Sequence, residues 1–119
     1  MLISVLKAKL HRIPVTESNL DYEGSLTLDP DYMEAVGIVQ FEKILVANVA
    51  NGSRFETYAI SGRRGSGVCC LNGAAAHLGK VGDLLIVMCF AQMSPEEAAG
   101  WQPKVKHFGS QRKTMEGKR

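Results

Sequence analysis

Cysteine is scarce and odd in number. Cys69, Cys70 and Cys89 form no CxxC pair, so neither a disulfide framework nor a zinc site is indicated, and the three read as buried, reduced thiols. Long apolar runs are missing too. The longest charge-free stretch, Leu84–Met93, is about half of the ~20 residues that a membrane-spanning helix requires. Met1–Leu6 is apolar, but Lys7 and Lys9 interrupt it, and no export signal is read there. A Walker loop and a G-x-G-x-x-G turn are both lacking. Ser25 lies in no G-x-S-x-G elbow, and His11, His77 and His107 show neither a relay nor a metal-ligand spacing, so no metal site is expected. The net charge is only +2. From Lys104 onward six basic residues meet the single acid Glu116, which leaves residues 1–103 with a net charge of −3. A mildly acidic body argues against nucleic-acid binding, and a short basic end is ordinarily just solvated. A soluble, cytoplasmic protein that touches neither membrane nor nucleic acid is expected.

The 119 residues are 45% apolar and 22% charged, enough for one folded core and too few for two. Residues 1–108 read as one domain, and 109–119 as a basic tail without structure. Leu2–Arg12 alternates as a strand: Leu2, Leu6, Ala8 and Leu10 would share one face, Lys7, Lys9 and His11 the other. A polar stretch precedes a short strand at Gly24–Leu28. Asp29-Pro30 opens a short helix that Gly37 closes. Ile44–Val49 and Arg54–Ile60 flank Asn51-Gly52, a dipeptide suited to a tight hairpin. Val68–Leu71 is a further strand, followed by a helical turn at Ala74–Leu78 and a turn at Lys80–Asp83. Leu84–Phe90 reads as a buried strand, Ser94-Pro95-Glu96-Glu97 as a capping box opening a helix, and Lys104–Phe108 as a last strand. Six or more short strands with small helices between them imply a mainly-β barrel or sandwich.

Residue types alone leave the chemistry open. Gly24-Ser25 sits where a loop enters a strand, a common place for a plain turn. Lys9 and His11 share a face that solvent alone would explain. Arg54 and Tyr58, four apart on one strand face, suit a pocket wall or ordinary cross-strand packing. Asn72-Gly73-Ala74-Ala75-Ala76 gathers small side chains and accessible amides, as a ligand cradle or a tight turn would.

The combination is more specific than its parts. Lys9-Leu10-His11-Arg12, Leu20-Asp21-Tyr22-Glu23-Gly24-Ser25, Asn51-Gly52-Ser53-Arg54-Phe55-Glu56-Thr57-Tyr58 and Asn72-Gly73-Ala74-Ala75-Ala76 occur in that order and spacing. Together they resemble the pyruvoyl-dependent aspartate 1-decarboxylase family, from Met1 to about Pro103. The resemblance implies a double-psi β-barrel with a few short helices, assembled as a homotetramer and made as a proenzyme that cuts itself between Gly24 and Ser25. A separate maturation factor is a possible partner. The implied cofactor is a covalent pyruvoyl group derived from Ser25, which forms a Schiff base with the substrate. The implied reaction converts L-aspartate to β-alanine and CO₂ for pantothenate and coenzyme A synthesis. Tyr58 would then be the proton donor, with Thr57 beside the Gly24 carbonyl during cleavage and also touching substrate. Lys9 and Arg54 would bind substrate carboxylate, helped by the amides of Gly73, Ala74 and Ala75. His11, Tyr22 and Asn72 would support the site. Two alternatives are a non-catalytic barrel used for binding or assembly, and a pyruvoyl decarboxylase for another amino acid.

Overall fold

The computed structural model describes residues 1–109. Its eight strands are β1 (Ile3–Pro14), β2 (Glu17–Asn19), β3 (Ser25–Leu28), β4 (Lys43–Asn48), β5 (Arg54–Ser61), β6 (Cys69–Asn72), β7 (Leu84–Met93) and β8 (Lys104–His107). Helix α1 (Pro30–Val36) follows β3, a 3₁₀ turn (Gly73–Leu78) follows β6, and α2 (Pro95–Ala99) follows β7. The strands form one mixed sheet in the order β2-β6-β3-β5-β4-β7-β1-β8. The protein is therefore mainly β, an arrangement consistent with a double-psi barrel. Apart from Gly109, the expected basic tail lies outside the described residues.

Strand β1 runs antiparallel to β7 and parallel to β8, and its register slips between Leu6 and Ala8 and again between His11 and Ile13. At the second slip Arg12 takes a left-handed φ of 67°, the extra residue of a bulge. Strict alternation would carry Arg12 inward after Ala8 and Leu10; the bulge substitutes Ile13 and Val15, both buried. The expected apolar face thus holds for Ala8 and Leu10, whereas Leu2 precedes the strand and is exposed.

Helix α1 is bounded as its residues dictate. The Asp29 carboxylate accepts from the Asp31 amide, Pro30 occupies the first turn, and Gly37 closes the helix at φ 83°. Asp29 also accepts from the amides of Gly65 and Gly67, which ties the loop after β5 to the helix start. The capping box at Ser94 and Glu97 is present in full.

The β4–β5 connection is wider than the tight hairpin expected around Asn51-Gly52: β4 ends at Asn48, one residue early, which leaves a five-residue loop, 49–53. Asn48 and Asn51 accept from the amides of Ala50 and Ser53, and Gly52, at φ 77°, donates to the Asn48 carbonyl. These side-chain bonds stabilise the wider loop. Strand β2 lies in the stretch read only as polar, its three residues exposed and paired in parallel with β6. Strand β7 is three residues longer than expected because Ala91, Gln92 and Met93 pair with Val5, Ser4 and Ile3 of β1.

The core is built from Ala8, Leu10, Ile13, Leu26, Leu28, Ile44, Val46, Leu71, Leu85 and Val87, with α1 adding Met33 and Val36. Cys69, Cys70 and Cys89 are all free and buried.

Candidate active site

Strands β3 and β6 are antiparallel neighbours with Ser25 opposite Asn72, Leu26 opposite Leu71, Thr27 opposite Cys70 and Leu28 opposite Cys69. Because side chains alternate, Leu26, Leu28, Cys69 and Leu71 face the core. Ser25, Thr27, Cys70 and Asn72 form a polar two-by-two patch on the other face. Ser25 and Asn72 are nevertheless almost wholly buried. The Asn72 amide spans the patch, donating through Nδ2 to Ser25 Oγ at 3.0 Å and to Thr27 Oγ1 at 2.7 Å. Ser25 Oγ donates in turn to the Glu23 carbonyl at 3.3 Å. Since the Asn72 side chain is committed here, it makes no capping bond to the 3₁₀ turn that it precedes.

A cavity of about 350 Å³ opens at the Ser25 corner of this patch, lined by Asp21, Tyr22, Glu23, Ser25 and Ile60. Strained geometry sits at Gly73 and not at Gly24. Gly24 is not at positive φ, and a Cβ there would come no closer than 4.0 Å to the Asn72 carbonyl. Gly73 is at φ +63°, and a Cβ on it would lie 2.5 Å from the Tyr22 carbonyl and 2.7 Å from the Gly24 nitrogen. No side chain fits there, so only glycine lets the 3₁₀ turn press its backbone onto the Tyr22–Gly24 segment.

Strand β5 runs parallel to β3 with Leu26 opposite Ala59, so Tyr58 is level with Ser25, one step back. Tyr58 shares a face with Ile60, which lines the cavity. Thr57 falls on the opposite face with Phe55 and Ala59, and no register slip interrupts β5 to turn it round. Arg54 shares the Tyr58 face, exposed and four residues along, about 13 Å away at ~3.3 Å per residue. Lys9, opposite Met88 on β7, and His11, whose ring meets His107 edge-on at 5.3 Å, lie on β1. The cavity lining thus holds the acids Asp21 and Glu23, whereas Lys9 and Arg54 are not among its residues.

Thr27 and Cys70 are the polar residues of the patch that residue types alone did not single out. Their only sequence signal is position: each stands two residues from Ser25 or Asn72 on a short strand. Burial pushes the Cys70 thiol pKa up, with the Glu17 carboxylate adding to the shift, so the group stays a neutral S–H donor.

A family model described as aspartate decarboxylase matches residues 1–115, well beyond Pro103, where the resemblance was expected to fade. The chain is 55% identical over 105 residues to the aspartate 1-decarboxylase of Caldicellulosiruptor saccharolyticus, covering 88% of this chain and 82% of that protein. It is 54% identical to the protein of the same name from Lactiplantibacillus plantarum, over 88% and 81% of the two chains. Identity to the Myxococcus xanthus protein of that name is 48%, over 95% and 87%. With these likenesses spanning the strands that carry Ser25, Tyr58 and Asn72, the chain belongs to the aspartate decarboxylase family.

Proposed function

We propose that this chain matures by cutting itself between Gly24 and Ser25 and then decarboxylates L-aspartate to β-alanine and CO₂, in support of pantothenate synthesis. The observation that carries the reading is Ser25 itself: buried at the start of β3, its Oγ held by Asn72, beside a Gly24 pressed by the Gly73 backbone. The family is pyruvoyl-dependent, and the site fits such a group. Replacing the serine nitrogen by an oxygen and losing Oγ takes no more room than Ser25 now fills, and Asn72 offers a donor beside it.

Maturation follows from the residues at hand. Ser25 Oγ bonds to the Gly24 carbonyl carbon as the Gly24–Ser25 C–N bond breaks, and its proton passes to the freed nitrogen. Loss of the Ser25 Cα proton then breaks Cβ–Oγ, leaving Gly24 with a carboxylate. Water enters and ammonia leaves at the new end of the larger fragment. Once formed, the pyruvoyl carbonyl supplies the electron sink that decarboxylation of an amino acid demands.

The chain's own groups then orient substrate and move protons. Tyr58, level with Ser25, is assigned as the acid that protonates the carbon losing CO₂. Arg54 and Lys9 are assigned to the substrate carboxylates, Arg54 as the bidentate partner. The backbone amides of Gly73, Ala74 and Ala75 are assigned to the substrate as well, Tyr22 to the cavity wall, and His11 to support of the site.

Two features support assembly of the site from more than one copy. Arg54 lies about 13 Å along β5 from Tyr58, and Thr57 faces away from the Ser25 patch. A homotetramer supplies both from neighbours, and the exposed Val39, Phe41 and Phe90 offer apolar surface for it. The cytoplasm is the assigned location, in keeping with free thiols and with the absence, among the described residues, of a helix able to cross a membrane.

The test is mass analysis of purified protein beside CO₂ release from aspartate, glutamate and neutral amino acids. Fragments of 24 and 95 residues, a blocked N-terminus on the larger, and release from aspartate alone are expected. Ser25→Ala should stay intact and inactive. Cleavage of Ser25→Ala refutes the scheme, and silence with every substrate identifies a binding module. Cleavage only after an extract is added shows that maturation is assisted.

A further inference from the structure

Whether Ser25 receives a hydrogen bond or gives one depends on which way the Asn72 amide is turned. Rotated by 180°, its oxygen would face two hydroxyls, both able to turn and donate to it. Neither Ser25 nor Thr27 decides the matter, since a hydroxyl accepts as readily as it donates. The fourth member of the patch does. Cys70 lies two residues from Asn72 on the same face of β6, and its Sγ is 3.1 Å from Asn72 Oδ1, both groups buried. A thiol donates weakly and accepts worse, so it favours the amide oxygen and disfavours the amide nitrogen.

We propose that Cys70 is a positioning residue for maturation: its S–H holds the Asn72 amide in the one orientation that aims both N–H bonds at Ser25 and Thr27. The inference rests on the reading of Ser25 as the self-cleavage nucleophile. With Oδ1 taken by the thiol, one N–H goes to Thr27 Oγ1 and the other to Ser25 Oγ, while the Ser25 proton is directed at the Glu23 carbonyl. A donor fixed on Oγ matters most when Cβ–Oγ breaks, because that oxygen then gains the charge of the new Gly24 carboxylate. In the flipped amide an oxygen would face Oγ and oppose the same charge. Cys70 does this without touching the reacting atoms.

The experiment follows the cleavage rate of freshly translated full-length chain by denaturing gel, for wild type, Cys70→Ser, Cys70→Ala and Cys70→Val. Each variant's thermal unfolding is recorded alongside. Cys70→Ser keeps a donor and should cleave within about twofold of wild type. Cys70→Ala and Cys70→Val should cleave roughly 3- to 10-fold more slowly, the usual worth of one hydrogen bond. Valine fills the thiol's space and carries the comparison if the alanine variant does not fold. In the slow variants the Gly24–Ser25 ester should accumulate, so hydroxylamine should release a larger fragment beginning with an unmodified Ser25. Wild-type rates in Cys70→Val, or a Cys70→Ser variant as slow as Cys70→Val at equal melting temperature, overturn the proposal. An uncleaved wild type refutes the maturation reading and not the role of Cys70 alone.

Discussion

Thr57 and Tyr58 are chain neighbours on a strand without a bulge, and their side chains leave opposite faces of it. One copy therefore presents only Tyr58 toward Ser25, level with it across β3 and β5. Tyr58→Phe removes a single oxygen and keeps the ring against Phe41. Self-cleavage should proceed as in wild type, since the acyl shift uses the Ser25 hydroxyl. Turnover of the matured protein should fall by roughly 10²–10⁴-fold, the worth of a positioned general acid. The loss should appear in kcat more than in KM, because the proton is delivered only in the transition state. Cleavage extent by gel, read beside steady-state β-alanine formation, checks this. Poor maturation with normal turnover of the matured fraction would exchange the roles assigned to Tyr58 and Thr57.

Among the elements, α1 and the loop after β5 are bound into one unit by a buried carboxylate. Burial pushes the Asp29 pKa up, but the amides of Gly67, Asp31 and Gly65, with the Arg64 guanidinium, outweigh it and hold the group below the usual carboxylate range. Arg64 also pairs with Asp31 and Glu34 on the helix. A carboxyl held low stabilises the fold above its unfolded pKa, and that contribution is lost as pH falls through its folded pKa. Asp29→Asn keeps one acceptor oxygen but turns its NH2 onto the Gly67 amide or onto those of Asp31 and Gly65, so it should lower the melting temperature at pH 7 by roughly 5–10 °C, the scale of a buried donor left without an acceptor. The gap between variant and wild type should narrow in melts taken at progressively more acid pH. A gap that stays constant down to pH 3 would show that the charge contributes nothing. This helix was legible from Asp29, Pro30 and Gly37 because caps are local chemistry, as was the Ser94–Glu97 box. The bulge at Arg12 and strand β2 were not, since each exists only by pairing with residues about 50 or more positions away. The same holds at the site. Gly24-Ser25 and Asn72 could be named in advance, but the partnership of Asn72 with Ser25 and Thr27 arises only when β3 and β6 are laid side by side.

At the scale of the whole molecule, an acidic body must bind a dicarboxylate, and the cavity beside Ser25 adds Asp21 and Glu23 to its wall. Cations have to come from elsewhere, and on the reading proposed above a neighbouring copy supplies Arg54. Co-expressing Ser25→Ala with Arg54→Ala chains tests this, because each is inactive alone. Random mixing should restore roughly a quarter of the sites if Arg54 acts across a subunit boundary. No recovery in mixed assemblies, verified by differently tagged chains, would place Arg54 in the same copy as its Ser25. Maturation has a further consequence through the position of β1, which lies between β7 and β8 in the sheet. A cut after Gly24 divides the chain but leaves β1 wedged between two strands of the other fragment and β2 paired with β6. On the proposed maturation, the fold is first reached by one unbroken chain and is afterwards a complex of two. Once unfolded, the mature protein faces a second-order search for a partner that its precursor never had to find, so its folding history is not one it can repeat.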